Sequence, residues 1–169
     1  MRAALAALLA AAAAAGAWAQ APPEVNAKRT EAAGYAVTHG LLVTNLVKNC
    51  ARFRAELEVD PEAALAGWRE RNGARLAAAQ AYFVFARAAL VRDGGEAAGA
   101  RFDRQTQDVF VDEANNSLNE IFEHASPQPW TCKRWVAAIA DGTADLRWEP
   151  KYAPTLDELV EFAKTVKPR

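Results

Sequence analysis

Apolar side chains recur every three or four positions along most of the chain, which is the spacing of a helix with one buried face. The first of these stripes predicts a helix from about Asn26 or Thr30 to Leu57. Its inward face consists of Tyr35, His39, Leu42, Leu46, Cys50, Phe53 and Leu57. A histidine and a cysteine therefore share the inward face of the first predicted helix.

The second stripe starts after Asp60 and Pro61, a capping residue followed by a residue suited to the first helical turn. It crosses Asn72-Gly73, a dipeptide that usually stops a helix. Because the stripe stays in phase across this dipeptide, we expect one helix that bends there and ends at residues 93–95. Its inward positions are Leu65, Trp68, Asn72, Leu76, Ala79, Phe83, Ala86 and Leu90.

A third stripe predicts a helix from about Glu96 to Ala125, where the two prolines of the sequence SPQP stop it. A short helix follows from about Trp130 to Ala140. Gly142 is suited to end it, because glycine readily adopts the left-handed conformation at a helix C-terminus.

The last part of the chain combines an irregular stretch with one more helix. Residues 143–154 show no helical period, and Thr155–Glu158 form the sequence pattern of a capping box that opens a final helix. No useful length of sequence alternates with the period of a strand. The pattern predicts an all-α fold, a single-domain helical bundle of about four to five helices.

The N-terminal residues have the form of a secretory signal peptide. Arg2 is followed by the apolar run AALAALLAAAAAAG, which ends at the small-x-small sequence of Ala17–Ala19. We expect cleavage after residue 19, which leaves residues 20–169 as one helical domain. The apolar run is shorter than the roughly 20 residues of a membrane-spanning helix, so we expect no transmembrane segment after cleavage.

Two alternatives stay open at this terminus. Cleavage after Ala21 also satisfies the small-residue rule, and an uncleaved alanine helix buried in the fold is the other possibility. The absence of any polar face in residues 3–16 argues against that helix. We expect an export signal of the Gram-negative type, which makes the protein periplasmic or secreted.

Charge excludes two classes of partner. The formal net charge of the whole chain is -1 and becomes -2 once Arg2 is removed. A near-neutral chain offers no broad basic surface for nucleic acid or for an anionic membrane. We therefore expect the partner to be a protein or another envelope component, and the oligomeric state stays open.

The only two cysteines are Cys50 and Cys132, 82 positions apart. Cys132 is predicted in the first turn of a helix beside Lys133 and Arg134, where a reactive thiolate is physically possible. No base stands in a known Cys/His pattern, and no close Cys or His pair suggests zinc. Two cysteines in an exported chain indicate one long-range structural disulfide between Cys50 and Cys132.

Candidate catalytic and metal-binding residues are sparse. Glu120 and His124 lie one helical turn apart and are a weak alternative for a metal site or for acid–base chemistry. The spacing differs from the Glu-x-x-His of di-iron bundles, and a solvated helix end explains it as well. His39 is interpreted as a hydrogen-bonded core histidine. We therefore expect no catalytic residue and no cofactor, and an enzyme is the least favoured reading.

Four tryptophans remain after residue 19, and several have arginine neighbours. Tryptophan and arginine are typical of binding hot spots, but large side chains also cover the end of a bundle. The candidate binding residues are Trp68, Arg71, Trp130, Arg134, Trp135 and Trp148. The sequence therefore favours an exported, non-enzymatic helical protein that binds a protein or envelope partner. The alternative is a small-molecule or metal-binding helical bundle.

Overall fold

The computed structural model describes residues 25–165, and these residues form helices and turns without any strand. The α-helices are α1 (Ala27–Cys50), α2 (Pro61–Ile121), α3 (Pro129–Asp141) and α4 (Ala153–Thr165). Two 3₁₀ segments, Ala51–Glu56 and Leu146–Trp148, complete the secondary structure of this range. The all-α prediction is confirmed. The predicted signal peptide, residues 1–19, lies outside the described residues.

Helix α1 starts where the sequence predicts and ends earlier. The side chain of Asn26 accepts a hydrogen bond from the backbone N–H of Arg29, which satisfies one of the free donors of the first turn. The α-helix stops at Cys50, and the following six residues tighten into a 3₁₀ segment before Leu57 becomes extended. The prediction of an α-helix as far as Leu57 is therefore wrong, because the chain already turns toward α2.

The start of α2 is confirmed in detail. The Asp60 carboxylate accepts hydrogen bonds from the backbone N–H groups of Glu62 and Ala63, and Pro61 occupies the first helical position. Asn72-Gly73 keeps helical backbone angles. One helix thus runs through the dipeptide, as the phase of the stripe predicts. The bend predicted at the dipeptide is wrong, because the departure from helical geometry comes later.

That departure is at Gly95, which has φ 74° and ψ 177°. Because a side chain disfavours this conformation, glycine is the residue suited to it. The helix divides here into a first arm (residues 61–94) and a second arm (residues 96–121) that fold into a hairpin. Arg87 of the first arm pairs with Asp103 of the second at 2.8 Å, and Phe83 packs edge-on against Phe110. At residues 93–95, where the sequence predicts the end of the helix, the chain reverses its direction.

The second arm ends at Ile121, four residues before the predicted end. Glu123 and His124 both have positive φ, 54° and 56°, so they cannot continue a right-handed helix. The short helix α3 then matches its prediction closely and ends at Gly142, which has φ 87°.

The predicted capping box at Thr155 is wrong. Helix α4 starts at Ala153, and the N–H of Ala153 already bonds to the Glu149 carbonyl. Thr155 therefore lies inside the first turn, where its hydroxyl oxygen is buried and finds no hydrogen-bond partner among the described residues. The turn before α4 extends the helix upstream of the box.

One hydrophobic core joins α1, α2, α3 and α4. On α1, Ala32, Ala33 and Ala36 are completely buried, so alanine here permits close approach of the helices. The large core side chains come from all four helices, Leu46 of α1 among them, and from the turn before α4. They include Trp68, Tyr82, Val136, Ile139, Leu146, Leu156 and Leu159.

By composition, α2 is long and apolar enough to cross a membrane. Its most apolar 18-residue window has a mean hydropathy of 1.2, and 22% of that window is buried. Core helices of soluble proteins meet the same criterion. The expectation of no transmembrane segment after residue 19 therefore stays a prediction.

Candidate functional site

The disulfide predicted between Cys50 and Cys132 is confirmed. It joins the last residue of α1 to the first turn of α3, with a Cα–Cα distance of 5.4 Å. Both residues are completely buried. Cys132 is therefore a structural cysteine in this protein, and its position beside Lys133 and Arg134 does not create a reactive thiol. A disulfide across the core is typical of an oxidising compartment outside the cytoplasm.

Arg134, on the outer side of α3, lies between an exposed tryptophan, Trp130, and a half-buried one, Trp135, that packs against the core. The guanidinium carbon of Arg134 lies 5.9 Å from the ring centre of Trp130 and 5.8 Å from that of Trp135. Trp130 is 57% exposed. No carboxylate of the described residues lies within ion-pairing distance of Arg134, whereas the adjacent Lys133 pairs with Glu58. We call Trp130, Arg134 and Trp135 the α3 tryptophan face.

Two shallow cavities of about 330 and 320 Å³ flank this face, and Arg134 lines both. The first is bounded by Trp130 and Leu57, and the second by Trp135 and Thr143. The indole N–H of Trp135 is buried and has no hydrogen-bond partner within residues 25–165. The α3 tryptophan face thus combines exposed aromatic area with a cation that has no acidic partner in the described part of the chain.

Trp148 belongs to the connection between α3 and α4, residues 142–152. Its indole N–H donates to the Gly142 carbonyl at 2.9 Å, and Arg147 lies 4.7 Å from its ring centre. The ring is 62% exposed. No ring contact of Trp148 with the α3 tryptophan face occurs among the described residues, so the structure does not join all the candidate binding residues into one surface.

Trp68 and Arg71 serve the interior. Trp68 is 1% exposed, and its indole N–H donates to the Ala144 carbonyl at 2.9 Å. Arg71 donates to both carboxylate oxygens of Asp145 and to the Ile139 carbonyl. The sequence left two interpretations for the tryptophans, core packing or partner binding, and Trp68 belongs to the core. Arg71 holds the α3–α4 connection in place.

Sequence reasoning missed the polar network around Asn72. The amide nitrogen of Asn72 donates to Asp145, and its amide oxygen accepts from the N–H of Leu146, both at 2.9 Å. Asn72 and Asp145 are both buried. The only sequence signal was a polar residue on an apolar stripe. The network positions the whole α3–α4 connection, and with it Trp148 and Tyr152.

Glu120 and His124 remain at the exposed end of the second arm. His124 has left the helix, and its backbone N–H bonds to the Asn119 carbonyl. Among residues 25–165, no group of three or more His, Cys, Asp or Glu side chains is placed to hold a metal ion. The described part of the chain therefore adds no ligand to this pair.

Sequence reasoning also missed a cavity of about 480 Å³ between α1, the second arm and Tyr152. The rings of Tyr35 and Tyr152 stack in its wall with centres 4.7 Å apart, and His39 stacks on Tyr35 at 5.4 Å. Phe110 and Glu113 of the second arm form the opposite wall. We call this space the tyrosine cavity. The tyrosine and histidine on the α1 stripe were its only signal, and they resembled ordinary core residues.

Burial is the main cause of the shifted pKa values of Tyr35 and His39 in the cavity wall. Burial, and next the nearby charge of Glu149, raises the pKa of Tyr35 to about 12, so the phenol stays protonated. Burial lowers the pKa of His39 below its ordinary 6.5, although the Ala144 hydrogen bond and the charges of Asp145 and Glu149 oppose this. His39 is thus a neutral imidazole at pH 7. Its Nε2 donates to the Ala144 carbonyl at 2.9 Å, which leaves Nδ1 as an acceptor.

His39→Gln should flatten the pH dependence of stability just below pH 6.5. As the pH falls, the unfolded chain takes up this proton first, so the native state loses stability between pH 6.5 and the lower folded pKa. The slope from one such group is at most about 1.4 kcal/mol per pH unit. Urea unfolding from pH 5 to pH 7.5 measures it. An unchanged slope in His39→Gln would contradict the assignment.

Comparisons with protein-family models, with curated protein sequences and with solved structures find no match to this chain. No relative therefore supplies a function.

Proposed function

We propose that this protein is exported to the periplasm and acts without catalysis, by binding an acidic segment of a protein partner at the α3 tryptophan face. The observation that carries this proposal is Arg134, which lies against Trp130 and Trp135 and has no carboxylate within ion-pairing distance in residues 25–165. The signal-like residues 1–19 and the disulfide support the export.

The composition of the face favours a protein partner. Tryptophan and arginine are enriched in the residues that dominate binding energy at protein interfaces, because each combines a large contact area with a polar group. Trp130 exposes more than half of its surface on a helix whose inner side is anchored by Cys132 and Val136. A rigid element that presents an aromatic ring loses little conformational entropy on binding.

Charge complementarity favours an acidic segment. A guanidinium can form two parallel hydrogen bonds with one carboxylate, and these bonds are stronger than those between neutral groups. Lys133 is already paired with Glu58, so Arg134 is the cation of this face that a partner carboxylate would meet. The two flanking cavities offer space for side chains on either side of it.

The test has two stages, and both use the full chain expressed in its own host. A photo-crosslinking amino acid at position 130 should capture a specific protein, whereas the same amino acid at position 84, exposed on the first arm, should not. With the captured partner purified, Trp130→Ala should weaken binding on the order of thirtyfold. Isothermal titration calorimetry measures the affinity, and the intact mass shows whether residues 1–19 have been removed.

A charge-matched control separates the face from bulk electrostatics. Arg134→Glu should abolish binding, and Arg92→Glu, which makes the same charge change at the hairpin tip, should preserve it. Capture of no protein at position 130, or equal losses in the two glutamate variants, would overturn the proposal. Measured turnover that survives in Arg134→Glu would favour an enzyme instead.

A further inference from the structure

The tyrosine cavity has the lining of a site for a positively charged ligand. Three aromatic rings, those of Tyr35, Phe110 and Tyr152, line it together with the carboxylates of Glu31 and Glu113. No lysine or arginine belongs to its wall within the described residues. Aromatic faces and carboxylates both attract cations, so the charge and the ring geometry of this wall select the same class of ligand.

A lysine of the chain already shows how an ammonium group fits the rim. Lys151 Nζ lies 3.3 Å from a Glu31 carboxylate oxygen, 2.8 Å from the Tyr152 hydroxyl and 4.7 Å from the Tyr152 ring centre. The hydrogen bonds to Tyr152 and Glu31 raise the pKa of Lys151. The Glu31 carboxylate thus pairs with Lys151, whereas Glu113, which is exposed, forms no ion pair with the described residues.

We propose that the tyrosine cavity binds a small organic cation with a primary ammonium group. Glu113 receives the ammonium, and the rings of Tyr35 and Phe110 contact its hydrocarbon part. Nδ1 of His39 and the Tyr35 hydroxyl provide further polar contacts. This site is separate from the α3 tryptophan face. Binding of a small molecule in the tyrosine cavity is therefore independent of the proposed binding of a protein partner.

The cavity has room for a ligand larger than a simple ion. Its volume of about 480 Å³ lies within the range of small-molecule sites, which are about 300–1,000 Å³. Leu42 and Val109 add apolar surface to the wall. A phenyl or short alkyl group attached to the ammonium therefore has a place to pack.

The test uses 2-phenylethylammonium as the probe, with 2-phenylethanol as its neutral analogue and phenylacetate as its anionic analogue. Titration into the ¹⁵N-labelled mature protein at pH 7 should shift the amide signals of Gly34 and Ser117, which line the cavity. The cation should saturate these shifts at a concentration at least about tenfold lower than the alcohol, and phenylacetate should leave them unchanged. Equal affinity for the cation and the alcohol, or tighter binding of phenylacetate, would overturn the proposal.

Matched variants locate the charge that matters. Glu113→Gln should weaken cation binding about tenfold, and Glu113→Lys should abolish it, because the new ammonium occupies the site. Glu120 is exposed like Glu113 but does not line the tyrosine cavity, so Glu120→Gln and Glu120→Lys should bind like the wild type. Equal losses of affinity at positions 113 and 120 would show that the cation responds only to the net charge of the protein, which would contradict the proposed site.

Lys151→Met gives a test in the opposite direction. Since this variant frees Glu31 and the Tyr152 face, it should tighten binding of the cation severalfold. Loss of binding in Lys151→Met would contradict the role given to the tyrosine cavity. The partner test at position 130 does not depend on any of these results, so the two proposals can fail separately.

Discussion

Cys50→Ala and Cys132→Ala should each lower the free energy of unfolding by about 4–5 kcal/mol, because each removes the constraint on a loop closed across 82 positions of the chain. Both cysteines are completely buried, so the truncation also leaves unfilled space in the core. For a domain of this size the melting temperature should fall by about 10–20 °C. Urea unfolding and calorimetry of the oxidised protein and the variants measure the two quantities.

The double variant is the control that identifies the bond as the cause. Since both substitutions remove the same bond, Cys50→Ala/Cys132→Ala should cost little more than either change alone. Reduction of the wild type should destabilise it by a few kcal/mol. Two free thiols in protein isolated from an oxidising compartment, found by alkylation without reductant and intact mass, would contradict the disulfide.

Asp145→Ala should cost about 3 kcal/mol, the second-largest effect we expect. The Asp145 side chain is buried and receives hydrogen bonds from Arg71 and Asn72. Its removal leaves Arg71 without a carboxylate partner and the Asn72 amide with one bond fewer in the interior. The α3–α4 connection should also loosen, which amide hydrogen exchange of Leu146 would report, because its N–H bonds to Asn72.

Asp157→Ala supplies a matched control on the surface. Asp157 also pairs with an arginine, Arg75, at 2.7 Å, but its side chain is 58% exposed. Exposed ion pairs contribute about 0–1 kcal/mol, so this variant should unfold almost like the wild type. Similar losses in Asp145→Ala and Asp157→Ala would show that burial of the Asp145 network does not stabilise the fold.

Local backbone rules account for the parts of the fold that sequence reasoning predicted well. The Asp60 cap with Pro61 and the Gly142 terminus depend only on the conformations that these residues and their neighbours allow. The predictions that failed also concern local signals. Thr155 fits a capping box, but the hydrogen bonds of the turn before α4 extend the helix upstream. Propensity is a weak prior that tertiary context overrides.

The candidate sites were less accessible to sequence reasoning. Trp68 and Trp130 each have an arginine within one helical turn. Trp68 is nevertheless buried, whereas Trp130 is exposed. Helical periodicity places a side chain on a face, but which faces meet depends on how all the helices pack. The stack of Tyr35 on Tyr152 illustrates this, because the two rings come from opposite ends of the chain.

The sequence by itself determined that the protein is helical, where most helices begin, and which two cysteines pair. These properties follow from residue conformation, from the helical period and from the existence of only one possible pairing. Only the tertiary structure decided that the chain reverses at Gly95, that Asn72 meets Asp145 and that a cavity opens beside Tyr35. Asn72 and Asp145 are 73 positions apart, and polar contacts over such distances are selected by the packing of the whole core rather than by any local pattern.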